Sequence, residues 1–483
     1  MASGKAIRFA PLAFALLAGS LILLSLHCSR PKRPNVLWIT LDSCRYDHLG
    51  CYGYSRAKTP NIDAIADQGT AFTQAIAQAS ATRHSVPSMV TGRYPLYAQA
   101  RDFAMKPQDD LATLAEILGG EEYRSMAIAK EPQVVSSTRG FEEVVKSAGS
   151  TAQRSRACLR ALEKFQGDPF FIWLYYWDPH LPYQPPDRFL KLFEPTPLEQ
   201  PDPPQYKPPE KAMRHVPVRD DDGLLKAEIA VMGRINFQGD VTPTQLDKQH
   251  FINLYDAEIA FVDDEIGRIT TRLKQLGLYD NTVILITADH GEAFGEHDKY
   301  YHGFNLFDEV VRVPLVVKPP HSRPEIRSIA TPVRNVDIMP TILDYCRAPI
   351  PKDIEGVSLR PFMEGKNTPC FPAYMEIFYQ ERGSIDHLMM GFRTETHKLI
   401  YDMIQGDKLL FDLQADPGEH RNLLSSGTSE ITDQTAKSLE GRVREAMLSH
   451  LGLESLDELA QMKLTEKMDQ ETQERLRTLG YIE

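Results

Sequence analysis

The chain has 483 residues, enough for a large core plus a smaller unit, with 42% apolar and 25% charged residues, ordinary for a globular protein. A formal net charge of -12 excludes a broad electrostatic grip on nucleic acid, which needs clustered Lys and Arg, yet permits a small anionic ligand in a locally positive site. None of the 6 cysteines falls in a C-x-x-C spacing, which excludes a structural zinc module, and Cys346 with Cys370 is the pair open to a bridge.

In chain order, Lys5 and Arg8 precede an apolar run from Phe9 to Leu26, followed by His27 and Cys28. A positive segment before an apolar one reads as an export signal or membrane anchor over residues 1–30. Cys28 is open to lipidation as in a bacterial lipoprotein, although His27 is bulky where such cleavage sites prefer Gly or Ala. The expected location is therefore exported, membrane-tethered, and periplasmic or otherwise extracytoplasmic.

Asn35 to Leu41 reads as a strand buried on both faces, ending on Asp42, with Arg45 just beyond. Pro60 and Asn61 open a helix bearing Ile62, Ile65 and Ala66. The stretch Ala79 to Pro95 contains Thr82, Ser85, Ser88 and Thr91-Gly92-Arg93, on a helix opening near Thr82, a residue type that also serves as an N-cap. A helix over Leu111–Leu118, a strand over Tyr123–Lys130 and an apolar strand over Pro169–Tyr176 follow, the last leading into Trp177-Asp178-Pro179-His180. Residues 187–248, rich in proline and acid, read as a long, partly irregular insertion suited to substrate choice. From His250 to Leu276 the spacing of Ile252, Ile259, Val262, Ile266, Ile269 and Leu273 predicts a helix, with Asp256, Asp263 and Asp264 as a solvated or salt-bridging set.

A second apolar strand from Val283 ends on Asp289-His290-Gly291-Glu292, with His297 and His302 close behind. Two strands of one design thus deliver an Asp at their carboxyl ends, where α/β sheets keep their chemistry. The Asp-His pair offers oxygen and nitrogen donors, a mix suited to manganese or zinc more than calcium. Val310–Lys318 reads as a further strand and Val336–Leu343 as the opening of a helix. Gly391–Thr394, Lys398–Tyr401 and Lys408–Leu413 read as short strands of a small antiparallel sheet. The expected fold is α/β, a mostly parallel sheet flanked by helices, with that small antiparallel β subdomain at the C-terminal end.

These motifs, from Asn35 to Tyr481, resemble the sulfatase branch of the alkaline phosphatase superfamily. The likeness rests on the two strand ends, on Thr91-Gly92-Arg93, on Asp416 to Asn422 and on Leu476 to Tyr481. In that family a Cys-x-Pro-Ser-Arg box opens the helix that ends in Thr-Gly-Arg, and its cysteine becomes formylglycine; this chain has no cysteine there. Ser85-Val86-Pro87-Ser88 looks like the box but starts six residues before Thr91, whereas Thr82 keeps the family's nine. The shortfall is about one turn, roughly 5 Å along the axis, so Thr82 is the preferred nucleophile and Ser85 its competitor.

Carried over by position, the resemblance implies one divalent metal (Mn, Zn or Mg more than Ca) held by Asp42, Asp289, His290 and the Thr82 oxygen. It implies catalytic roles for Thr82, His180 and His302, substrate contacts from His180, His302 and Arg45, and Glu292 and His297 as secondary candidates. Ser43 stands where sulfatases commonly have a second metal-binding Asp, His290 where they have Asn, and Val86 where the box has Arg. The implied domains are 34–347, catalytic with the 187–248 insertion, and 348–483. The implied partner is a sulfated or phosphorylated small molecule, glycan or lipid headgroup, and the implied activity is hydrolysis of a sulfate ester or related phosphate ester. Hydrated formylglycine expels sulfate through its second hydroxyl; a threonine ester has no such exit and needs another nucleophile. That chemistry suits the superfamily's threonine-dependent phosphodiesterases and its phosphoethanolamine or phosphoglycerol transferases, and a silent glycan- or headgroup-binding member is the third alternative.

Overall fold

The computed structural model describes residues 33–451 except 96–97, 99–106, 148, 194–212, 220–224, 233–244, 322–323, 382–383 and 426–429. Residues 1–30, read above as an export signal or membrane anchor, and the closing motif at Leu476–Tyr481 lie outside the described residues. Contacts divide the chain between Arg33 and Pro34, and the unit beginning at Pro34 carries everything below. Among the described residues, no helix is long and apolar enough to cross a membrane.

The main sheet has eight strands: β1 Asn35–Leu41, β2 Thr70–Phe72, β3 Arg124–Ile128, β4 Glu143–Val145, β5 Phe170–Tyr176, β6 Thr282–Ala288, β7 Leu315–Lys318 and β8 Ser328–Ile329. They lie in the order β8-β2-β7-β6-β1-β5-β3-β4. β1 pairs in parallel with β5 and β6, β3 in parallel with β4 and β5, and β7 runs antiparallel between β6 and β2. Every residue of β1, β5 and β6 is buried, which explains their unbroken apolar runs. Leu41 pairs with both Tyr176 and Ala288, so the three central strands end level. Asp42, Trp177 and Asp289 therefore leave the sheet along one edge.

The helices that matter here are α1 Pro60–Ala66, α2 Thr82–Thr91, α3 Leu114–Gly120, α4 Thr151–Lys164, α5 Gln245–Gln275 and α6 Ile338–Cys346. α3 begins later than the expected Leu111, because Thr113 and Glu116 close a capping box around its first turn. The apolar positions expected on α5 from Ile259 to Leu273 are buried, and Ile252 is partly so. Its acids depart from the solvated reading. Asp263 is buried and accepts the backbone N–H groups of Asn61 and Ile62 at the start of α1. Asp256 is buried against His48 and accepts the Tyr54 hydroxyl, while Asp264 does sit near the surface, paired with Arg188. Those two acids serve partners remote in sequence, which charge spacing along one helix does not reveal.

One further expectation is corrected. Val310 and Val311 belong to a one-turn helix, Asp308–Val311, so the strand expected over Val310–Lys318 is broken into a short strand, Arg312–Val313, and β7. Cys346 is buried and Cys370 exposed, and no disulfide joins them. Within the insertion, Met213–Arg219 and Leu225–Met232 pair as antiparallel strands.

The C-terminal sheet has four antiparallel strands in sequence order, β9 Ala373–Glu381, β10 Ser384–Arg393, β11 His397–Asp402 and β12 Lys408–Asp412, followed by α7 Glu430–Leu451. β9 is covered on both faces: Ala373, Met375 and Ile377 join Leu306 and Val310, while Tyr374 and Phe378 join Ala436, Leu439 and Val443 of α7.

Candidate active site

Asp42 follows β1 directly, and Asp289 and His290 follow β6. All three are fully buried, and one ligand atom from each lies within 4.8 Å of the others. Asp289 is well served: Oδ1 accepts the N–H groups of His290 at 3.0 Å and Ser43 at 3.3 Å, and Oδ2 accepts the Tyr175 hydroxyl at 2.9 Å. Asp42 is not. Its Oδ1 accepts the Ser43 hydroxyl at 3.2 Å, while its Oδ2 is buried with no hydrogen-bond partner among the described residues. Burial and the charge of Asp289 push the Asp42 carboxyl well above its ordinary value.

His290 adds to this imbalance. Its Nδ1 lies 2.9 Å from the Gly291 carbonyl, an acceptor, which assigns the ring proton to Nδ1 and leaves Nε2 a lone pair. That lone pair sits 3.6 Å from Asp42 Oδ1 and 3.6 Å from Asp289 Oδ2. Burial holds the imidazole below its ordinary value and hence neutral. Two carboxylates and an imidazole lone pair converging without a proton between them fit a divalent cation.

Thr82 is the first residue of α2, and Ala81 holds the N-cap position. The Thr82 side chain is therefore free of capping duty, and its hydroxyl lies 3.1 Å from His290 Nε2. The competing hydroxyl is occupied: Ser85 Oγ donates to the Asp289 carbonyl at 2.6 Å, tying α2 to the end of β6.

Two more imidazoles complete the cluster. The His302 ring lies 4.2 Å from that of His290 and 4.9 Å from that of His180. His302 Nδ1 is 2.9 Å from Glu292 Oε1, and His180 Nδ1 is 2.6 Å from the Leu181 carbonyl, so each is braced through Nδ1. Trp177 packs on His180 with ring centroids 3.9 Å apart. Burial lowers His180 to about 3 and His302 to about 4. It raises Glu292, which also accepts the Tyr183 hydroxyl, to about 7.

Arg45 and His297 do not join them. Arg45 grips both oxygens of Asp47, the Glu296 carboxylate at 2.7 Å and the Glu292 carbonyl at 3.0 Å, a strut between two loops. His297 turns toward Glu309 and the carbonyls of Gly418 and Glu419. Sequence reasoning missed Tyr175 and Asn335. Tyr175 lies in an apolar run that shows no distinction between packing and hydrogen bonding. Asn335 donates to the Ala288 carbonyl at 2.9 Å from a segment far along the chain.

Comparison with known proteins gives two family matches. A sulfatase family model matches residues 34–348, and a second, described as N-sulphoglucosamine sulphohydrolase, C-terminal, matches residues 295–446. An N-acetylglucosamine-6-O-sulfatase of Bacteroides thetaiotaomicron is 24% identical over 474 residues, covering 82% of this chain and 84% of that one. Among solved structures, the phosphonate monoester hydrolase of Agrobacterium radiobacter superposes with a TM-score of 0.69 at 22% identity, covering 87% of this chain and 96% of that one. A protein solved with its substrate D-glucosamine-2-N,6-O-disulfate gives a TM-score of 0.69 at 23% identity, covering 87% and 98%. At these identities the superpositions speak for the fold.

Proposed function

This chain belongs to the sulfatase family, and from that premise we propose that it cleaves a sulfate ester, or a related phosphate ester, by in-line attack of the Thr82 hydroxyl. The observation that carries the reading is the 3.1 Å approach of Thr82 to His290 Nε2, at the edge of the Asp42, Asp289 and His290 cluster, while Ser85 is spent on a carbonyl. Asp42, Asp289 and His290 would hold a divalent cation, whose chemistry when bound is to neutralise the carboxylates and lower the pKa of a hydroxyl facing it.

The remaining steps fall to the side chains. His302, braced by Glu292, and His180, braced by a backbone carbonyl, are neutral at pH 7 and able to accept a proton at Nε2. In the first half-reaction Thr82 Oγ1 forms a bond to sulfur or phosphorus, its proton passes to one of these imidazoles, and the departing ester oxygen takes that proton. In the second half, water or an alcohol attacks the same atom and Thr82 Oγ1 leaves, recovering a proton. A sulfated glycan or small molecule is supported by the N-acetylglucosamine-6-O-sulfatase relative. Phosphoryl transfer is the second reading, favoured by Thr82 itself, which lacks the second hydroxyl that expels sulfate from hydrated formylglycine. From residues 1–30 we place the reaction outside the cytoplasm, on a membrane-tethered protein.

The test uses protein lacking residues 1–30, offered aryl sulfate, aryl phosphate and phosphodiester substrates with manganese, zinc, magnesium or calcium. Metal-dependent turnover that Thr82→Ala abolishes and Ser85→Ala spares is the expected result. Turnover indifferent to Thr82→Ala removes the nucleophile assignment. Binding of metal and sulfated ligand without turnover of any ester makes the protein a silent binder.

A further inference from the structure

Residues 291–303, which carry Glu292 and His302, hold an unusual backbone. His297 (φ 52), Asp298 (φ 53) and Tyr301 (φ 69) are non-glycine residues in the left-handed region, beside Gly295 (φ 104) and Gly303 (φ 89). Such conformations cost free energy and persist only where the surroundings over-determine them. At the tip of this loop the restraint is His297. Its Nδ1 lies 2.9 Å from Glu309 Oε1, its Nε2 lies 3.1 Å from the carbonyl oxygens of Gly418 and of Glu419, and its ring stacks on Phe307 at 3.8 Å and 5°. Both ring nitrogens thus face acceptors, and both contacts are made fully only when each nitrogen carries a proton.

We propose that His297, as an imidazolium, is a positioning residue that clamps the 291–303 loop, and through it His302, onto the C-terminal sheet's 413–422 loop. The inference concerns loop order and stands whether or not Thr82 is the nucleophile. The short helix Asp308–Val311 is the anvil: the Glu309 and Val310 carbonyls accept the N–H groups of Glu292 and Gly291 at 3.0 and 2.9 Å, while the Glu309 side chain takes His297. Its neighbour Asp308 accepts Lys398 at 2.9 Å and Arg393 at 3.3 Å, and its N–H donates to Glu419 at 2.7 Å, so helix, loop and sheet meet in one charged junction.

The groups facing His297 are Glu309 from the short helix, and Glu419, Asp416 and the His420 ring at 5.5 Å from the 413–422 loop. Burial pulls His297 down, but the Glu309 hydrogen bond and charge, with Glu419, outweigh it and raise the imidazole above 6.5. With the folded value raised, the clamp is at full strength below pH 6.5 and is lost as pH rises through the folded value.

The experiment measures hydrogen-exchange protection factors in the full chain from pH 6 to pH 9, for wild type, His297→Gln and His420→Gln. Protection of 291–303 and 413–422 is expected to fall together as pH rises, by roughly tenfold for each pH unit separating folded from unfolded titration, while β1 and β5 stay constant. His420→Gln should retain the fall, and His297→Gln should sit at the high-pH level throughout. Protection in wild type that ignores pH, or a fall surviving in His297→Gln, would overturn the proposal. Should His297→Gln fail to fold, the wild-type profile beside His420→Gln still decides it.

Discussion

Two buried carboxylate clusters, one at the strand ends and one at the junction with the C-terminal sheet, balance their charge in opposite ways. Asp308 is buried yet held well below the usual carboxylate range, because Arg393, Lys398 and Arg312 outweigh the desolvation. Asp42 is buried as well and is pushed well above that range, because desolvation goes unopposed and the charge of its neighbour Asp289 adds to it. Where carboxylates serve structure, the chain supplies its own cations. Around Asp42 Oδ2 it supplies none, and this is where we propose that a cation from solution binds.

The largest expected effect lies at the junction. Asp308→Asn leaves Lys398 and Arg393 short of a counter-charge and should cost about 3–5 kcal/mol in denaturant unfolding. Next, Thr82→Ala should lower kcat/KM about a thousandfold, about 4 kcal/mol, with little change in melting temperature. Asp42→Asn sharpens the contrast, because removing a repelling charge should leave the metal-free protein as stable or more stable. The same change should abolish stabilisation by added cation, which in wild type should reach about 2.7 kcal/mol at a hundredfold excess over Kd. Acid should separate the clusters as well. A raised Asp42 takes up its proton first as pH falls, weakening cation binding, whereas the depressed Asp308 keeps its ion pairs until below pH 3.8. Smallest is Ser85→Ala, about 1 kcal/mol of stability for one lost hydrogen bond, with turnover within a few-fold of wild type.

The strands were readable because burial on both faces leaves no alternation, and the runs ending on Asp42 and Asp289 show it directly. What sequence withheld was the identity of partners. Arg45 reads from sequence as a ligand contact, and the structure adds two carboxylate partners, Asp47 two residues on and Glu296 from another loop. His297 sits in the same motif as His302, but its ring meets Glu309 and the carbonyls of Gly418 and Glu419. β9 went unseen because covering both its faces erased the period of two, and α7, which packs on it through Ala436, Leu439 and Val443, went unseen as well. Choosing Thr82 over Ser85 rested on spacing to Thr91, and the two hydroxyls do point to different partners, an imidazole and a backbone carbonyl.

The most direct measurement is peptide mass spectrometry on protein quenched during turnover of a sulfate or phosphate ester with manganese present. The account predicts a sulfo or phospho adduct on Thr82, absent from Thr82→Ala and from protein stripped of metal. An adduct on Ser85, or steady turnover in Thr82→Ala, would contradict it.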